Sequence, residues 1–157
     1  MIYPQFIALD SSHGEESFPV AISWSLGDGQ LKSVLIIPDD AWEPWENNHS
    51  QYDTDYLINH GATCPEILQE LLSDMESHEL FAAELVQDLA LLEKICQSCG
   101  QERDIEFLPF QLAFEEHDSE VLWQEYEVVT EYQGLDLSVC EERVRALVYL
   151  AEHLRTD

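Results

Sequence analysis

The stretch with the clearest chemical promise is Phe6-Ile7-Ala8-Leu9-Asp10-Ser11-Ser12-His13-Gly14. An apolar run ends in an acid, and small polar residues with a glycine then break it. A buried central strand delivers a carboxylate to the rim of a sheet in this way. The other chemistry-bearing types are scattered. Cys96-Gln97-Ser98-Cys99 has C-x-x-C spacing but falls at the end of an expected helix, and no second pair completes a zinc site. Redox dithiols place the first cysteine at a helix start, where the dipole lowers its pKa; a helix end does the opposite. Cys64, Cys96, Cys99 and Cys140 therefore read as structural thiols, and they make no disulfide framework in a chain this long. His13, His60 and His153 are each too isolated to be read as ligands. There is no glycine-rich phosphate loop and no nucleophile elbow.

At 157 residues the chain is expected to form one domain spanning 1–157. Its apolar content of 45%, with four Trp, six Phe and six Tyr, suffices for a packed core. No apolar run nears the ~20 residues of a membrane span. Met1-Ile2-Tyr3-Pro4 leads straight into a strand without a basic leader, so the cytoplasm is the expected compartment. The charge is extreme: 33 acids against 6 Lys plus Arg, a net −27. Such a field repels phosphate backbones, so direct nucleic-acid binding is expected to be weak. It suits a solvated acidic surface, a salty cytoplasm, mimicry of DNA or a basic protein partner. Arg143, Arg145 and Arg155 leave room for a small basic face near the end of the chain.

The elements that must position these residues follow in order. Residues 5–10 read as a first strand, and 18–26 as a second, with Val20, Ile22, Trp24 and Leu26 opposed to Ala21, Ser23 and Ser25. Gly27-Asp28-Gly29 is a tight turn, because glycine accepts the positive φ that hairpins demand. Residues 31–37 return as a third strand, stopped by Pro38. Residues 38–62 read as a long acidic, aromatic connection, in which one helical turn could pin Trp42 and Trp45 onto the core as a lid or present them as a base-stacking platform. Thr63-Cys64-Pro65-Glu66 opens a helix: Thr63 caps, Pro65 needs no donor there, and Glu66 completes a capping box. Ile67, Leu68, Leu71, Leu72 and Met75 carry that helix to about residue 77. Residues 80–83 are a short buried strand, and a helix from Glu84 carries Leu85, Leu89, Leu92, Ile95 and Cys96 before Gly100 ends it. A fifth strand covers 105–108. Asp118 or Ser119 caps a helix to about Tyr132, and Ser138-Val139-Cys140-Glu141 is a second capping box that opens the final helix.

This order, with three local stretches, resembles the DEDD superfamily of 3'-5' exonucleases, which have a ribonuclease H-like fold. The strand ending at Asp10 is similar to their first motif, where a strand ends Asp-x-Glu-x-x-Gly and both acids hold catalytic metal; here those positions read Ala8 and Asp10. His60-Gly61-Ala62-Thr63 looks like the family's His-Gly-Ile-Thr lead-in to the helix after the third strand. Phe81-Ala82-Ala83 through Gln87-Asp88-Leu89-Ala90-Leu91-Leu92 is similar to the second motif, and Asp88 falls on its aspartate. The last motif, His-x-x-x-x-Asp on the final helix, has no counterpart in residues 140–148.

The resemblance implies an α/β, ribonuclease H-like fold: a five-stranded mixed sheet with helices on both faces. Its strands lie near 5–9, 19–26, 31–37, 79–83 and 105–108, the first being central and parallel to the fourth; an all-helical structure, or an edge position for the first, would end the comparison. A crevice opens where the connections diverge at the carboxyl ends of the strands. Asp10 and Asp88 are then the expected metal pair for Mg or Mn, facing one crevice, with Glu84, Glu141 and Glu142 as substitute acids. Two-metal hydrolysis holds ions ~3.5–4 Å apart, and two of the four carboxylates the resemblance calls for are missing. The expected function is a non-catalytic or regulatory binding protein, a pseudoenzyme on an exonuclease-like scaffold. The alternatives are a metal-dependent 3'-5' exonuclease of DNA or RNA with an atypical acidic site, and an acidic decoy that occupies a basic protein partner.

Overall fold

Alternation of large and small residues builds a three-stranded antiparallel sheet from β1 (Ile7–Ser11), β2 (Pro19–Ser25) and β3 (Leu31–Leu35). The computed structural model describes residues 3–13, 17–42, 48–100 and 105–155. Ile7 pairs with Trp24 and Asp10 with Ala21, while Ser25 pairs with Leu31 across the tight turn. Gly29 supplies that turn's positive φ of 89°. After the sheet come α1 (Thr54–His60), α2 (Cys64–Asp74), β4 (Glu79–Ala82), α3 (Leu85–Ser98), β5 (Glu106–Pro109), α4 (Ser119–Gln133) and α5 (Cys140–Arg155).

The pleat sorts side chains to two cores. Ile7, Leu9, Ile22 and Trp24 pack with Ile67, Leu68 and Leu71 of α2 and Leu92 and Ile95 of α3. Phe6, Ala8 and Ala21 face the other way, onto Leu122 and Tyr126 of α4 and Val144 and Leu147 of α5. Helices thus cover both faces. Thr63 caps α2 by accepting the Glu66 N–H, and Asp118 caps α4 by accepting the Glu120 N–H.

The expected five-stranded sheet is corrected to two sheets. β4 and β5 form a parallel pair of their own, with Leu80 opposite Phe107. β1 reaches β4 through one parallel bridge, Phe6 to Phe81, with the Phe81 N–H donating 3.0 Å to the Gln5 carbonyl. The expected direction is there, but the ladder is not, and β1 stands at the end of the antiparallel sheet rather than at the centre of a larger one. Beyond that bridge, side chains occupy β1's outer edge. The Leu9 N–H donates to the Asp88 carboxylate at 3.0 Å, and the Leu9 carbonyl accepts from Arg143 at 2.6 Å. With Phe6 opposite Phe81, Leu9 falls opposite Glu84, past the end of β4 at Ala82, so these side chains satisfy edge groups that β4 does not reach.

The connection at 38–62 also differs from expectation, because it contains α1. This helix buries a single residue, Leu57, so it shows no apolar stripe in the sequence. Leu57 packs with Phe18 and Val20, and Trp42 stacks on Phe18 with centroids 5.6 Å apart, which makes Trp42 a packing residue. Trp45 lies outside the described residues, as does Gly14. α2 stops at Asp74, short of residue 77, and β3 stops at Leu35, after which Ile36 bridges to Ala62.

That last bridge explains Gly61. A methyl group on Gly61 would lie 2.6 Å from the Leu57 carbonyl oxygen and 2.8 Å from the Ile37 nitrogen. Both are backbone atoms that cannot swing aside. Gly61→Ala is expected to lower stability by ~1–3 kcal/mol, as overpacking does, read as a lower urea midpoint at unchanged slope.

Candidate acidic site

The β1 strand carries Asp10 to the start of α5. Asp10 Oδ2 accepts the Cys140 backbone N–H at 3.0 Å, and Oδ1 lies 3.2 Å from Arg143 Nη2. A helix N-terminus has unpaired N–H groups and a partial positive charge, so a carboxylate there is favoured. The sequence pattern had assigned this cap to Ser138. Instead the Ser138 hydroxyl donates to Asp136 Oδ1 at 2.7 Å, and the first helical N–H of α5 is satisfied from 130 positions away.

Asp88 enters from α3. It lies in the helix's first turn and is fully buried rather than on the helix surface. Its Oδ1 takes the Leu9 N–H, while its Oδ2 is buried with no hydrogen-bond partner. Burial pushes the Asp88 carboxyl up to about 7 against the pull of the Leu9 N–H and Arg143; Glu84 and Asp10 raise it further.

Arg143 completes the cluster. Its guanidinium donates to the Leu9 carbonyl at 2.6 Å and the Leu137 carbonyl at 2.9 Å, and it pairs with Asp10. Burial works against its charge, yet Asp10, Asp88 and Glu84 hold its pKa above the ordinary arginine value. Sequence reasoning placed Arg143 on a small basic face, and the structure corrects this. It is 4% exposed, Arg145 pairs with Glu141, and Arg155 lies 4.1 Å over the Tyr3 ring. A signal was present: Arg143 is three residues after Cys140 and four before Leu147, both on the buried side of α5.

The substitute acids are placed differently. Glu84 sits exposed at the head of α3 and influences Asp88 and Arg143 through its charge. Glu141 is engaged by Arg145 at 3.0 Å, and Glu142 accepts the Asp136 N–H at 3.2 Å. Beside Asp10, a cavity of about 150 Å³ is lined by His13, Ser50, Tyr52 and Ser138. That is below the ~300–1,000 Å³ of ordinary ligand pockets.

Magnesium or manganese, which the resemblance implies, needs several oxygens in near-octahedral array. Both oxygens of Asp10 and one of Asp88 are already committed, and Arg143 supplies the positive charge between them. Among the described residues no group of three or more His, Cys, Asp or Glu is placed to hold an ion. The residues present do not fit a two-ion centre.

No family model and no curated protein sequence matches this chain. Solved structures do. Exonuclease I of E. coli in complex with a dA16 oligonucleotide superposes with a TM-score of 0.67 at 11% identity, over 97% of this chain and 40% of that one. The same enzyme with a 5cy-dA13 oligonucleotide gives 0.66 at 11% identity. A chain from the structure of the yeast NOT1 MIF4G domain co-crystallized with CAF1 gives 0.57 at 12% identity, over 99% of this chain and 79% of that one. The chain spans about two-fifths of the Exonuclease I chain it matches. At these identities the likeness is one of fold, an exonuclease-like α/β fold, and it holds although β1 ends its ladder.

The raised carboxyl of Asp88 has a pH signature. Unfolded, it titrates near 3.8; folded, near 7. Between those values the folded chain holds the extra proton, so this group's contribution to stability falls as pH rises through the window. Asp88→Asn keeps an oxygen for the Leu9 N–H and removes the titration. Relative to wild type, the variant is expected to gain stability from about pH 4 to about pH 7 and to level off above, in urea midpoints. A difference that stays flat across that range would show an Asp88 that is ionised throughout.

Proposed function

We propose that the chain is a non-catalytic or regulatory binding protein on an exonuclease-like scaffold, one domain over residues 1–157 acting in the cytoplasm. The observation that carries this reading is the buried Arg143 guanidinium, paired with Asp10 and drawing on the charge of Asp88. A metal-dependent exonuclease uses divalent ions to stabilise attacking and leaving oxygens. Here the positive charge is a side chain of α5, held by two backbone carbonyls as well as Asp10. Position 8 supports the same reading, since Ala8 is buried in the apolar core, where an ionised acid would be costly. The net charge of −27 adds repulsion toward phosphate backbones.

One observation favours the second reading, a working 3'-5' exonuclease. Asp10 and Asp88 do converge on the Leu9–Asp10 end of β1, from elements far apart in the chain. That reading requires Arg143 to leave the cluster and divalent metal to enter.

Two measurements separate them. Arg143→Ala leaves buried acids without their cation and is expected to cost ~3–5 kcal/mol, the usual penalty for breaking a buried pair. A loss well under 1 kcal/mol would show a dispensable arginine, and a cluster open to another cation. Independently, a 3'-labelled single-stranded oligonucleotide incubated with the protein and Mn²⁺ is expected to stay intact, and calorimetric titration with Mn²⁺ to give no binding heat. Stepwise shortening by wild type, abolished in Asp10→Asn, would overturn the proposal and establish the exonuclease.

A further inference from the structure

α4 carries two apolar lines. Leu122, Tyr126 and Val129 are buried against the core. Val121, Val128 and Tyr132 remain 44%, 57% and 85% exposed. On a helix of 3.6 residues per turn, positions 121, 125, 128 and 132 fall on one line. Glu125, the acid in that line, is paired with His153 of α5 at 3.0 Å. Between the two helices lies a groove of about 430 Å³, walled by Val128, Val129, Tyr132 and Tyr149 and closed by Glu152 and His153. Exposed apolar surface with a polar rim marks an interaction site.

The rim decides the occupant. α4 holds Glu120, Glu125, Glu127 and Glu131 and neither Lys nor Arg. Glu120, Glu127 and Glu131 are all exposed and lie about a quarter-turn from the apolar line, on the flank away from the core. Glu152 is exposed on the α5 flank. Acids therefore border the apolar floor on both sides. A second copy would bring like charge onto like, at −27 per chain. A nucleic acid would set phosphates against the same glutamates.

We propose that the α4–α5 groove docks a basic amphipathic helix of a protein partner. Its apolar residues, at i, i+3 or i+4 and i+7, would lie along Val128, Tyr132 and Tyr149, and its lysines or arginines over the two acidic flanks. Val121 to Tyr132 spans about 16 Å, so about three turns of partner helix cover it. The surface uses none of Asp10, Asp88 and Arg143, so it stands apart from the question of catalysis.

The test uses a fluorescein-labelled amphipathic Leu/Lys helical peptide of about 18 residues, in about 0.15 M salt, where charges more than ~8 Å apart are screened. Anisotropy is expected to report micromolar binding. A peptide of the same composition, scrambled to lose its apolar face, should bind at least about tenfold more weakly. Val128→Ser/Tyr132→Ser keeps every charge and alters exposed positions only, and it should weaken the helical peptide by at least about tenfold, or ~1.4 kcal/mol. Val86→Ser, at an exposed apolar residue of α3, should leave binding unchanged. Equal affinity for the scrambled peptide, or for the double variant, would reduce the effect to charge attraction and overturn the proposal. So would concentration-dependent dimerisation in sedimentation that the double variant abolishes, since the groove would then belong to a second copy.

Discussion

Three distant parts of the chain meet in the charge cluster around Leu9. Asp10 follows it in β1, Asp88 reaches its N–H from α3, and Arg143 reaches its carbonyl from α5. A strand edge left bare inside a protein strands its N–H and C=O groups, each as costly as a lost hydrogen bond. These two side chains satisfy that edge at Leu9, beyond the last residue of β4. Two acids facing one arginine leave an excess of negative charge in the interior. The Asp88 carboxyl, raised to about 7, relieves it by holding a proton through much of the acid range.

The opposite end of β1 is tied down by a neutral group. Gln5 donates to the Ser25 carbonyl at 3.1 Å and the Asp74 carbonyl at 3.0 Å, and accepts the Glu76 N–H at 2.8 Å. One amide thus joins β1, β2 and the end of α2 with its polar atoms paired. The contrast is informative. Among the described residues, the buried side-chain polar atoms without a partner are Asp88 Oδ2 and Arg143 Nε, and both belong to the charge cluster. Unsatisfied groups are rare in folded chains and collect where a structure serves something besides packing. Here they mark the place where the exonuclease resemblance implies a site, now arranged around an arginine.

What the sequence made legible was what local pattern controls. Alternation through Ile22 and Trp24, the Gly29 turn and the Thr63 cap each act within a few residues, and the fold realises all three. What it hid was long-range. No local rule says that Asp10 rather than Ser138 caps α5, because the two partners are 130 residues apart. Asp88 lies three residues after Leu85 and four before Leu92, in line with the apolar stripe, but no local rule names Leu9 and Arg143 as its partners; the motif resemblance picked it out. Arg143 misled because a charge usually means solvent, and burial of a paired arginine depends on acids brought by other elements. α1 escaped because a helix that buries Leu57 alone has no stripe to read.

The cations of this chain are largely spent internally. Lys32 bridges Glu70 and Asp74, Arg143 is buried, Arg145 pairs with Glu141, and Arg155 covers Tyr3. Four of the six lysines and arginines are therefore engaged within the fold, and the net charge is −27. Such a net charge has a kinetic consequence. It slows the approach of phosphate backbones and speeds that of cationic surfaces, both in a salt-dependent way. Net charge selects the class of partner but by itself fixes no orientation. Orientation has to come from a feature that charge does not supply, an apolar line with a direction along a helix axis. Val121, Val128 and Tyr132 on α4 form such a line, and their exposure leaves it unused by the fold's own core.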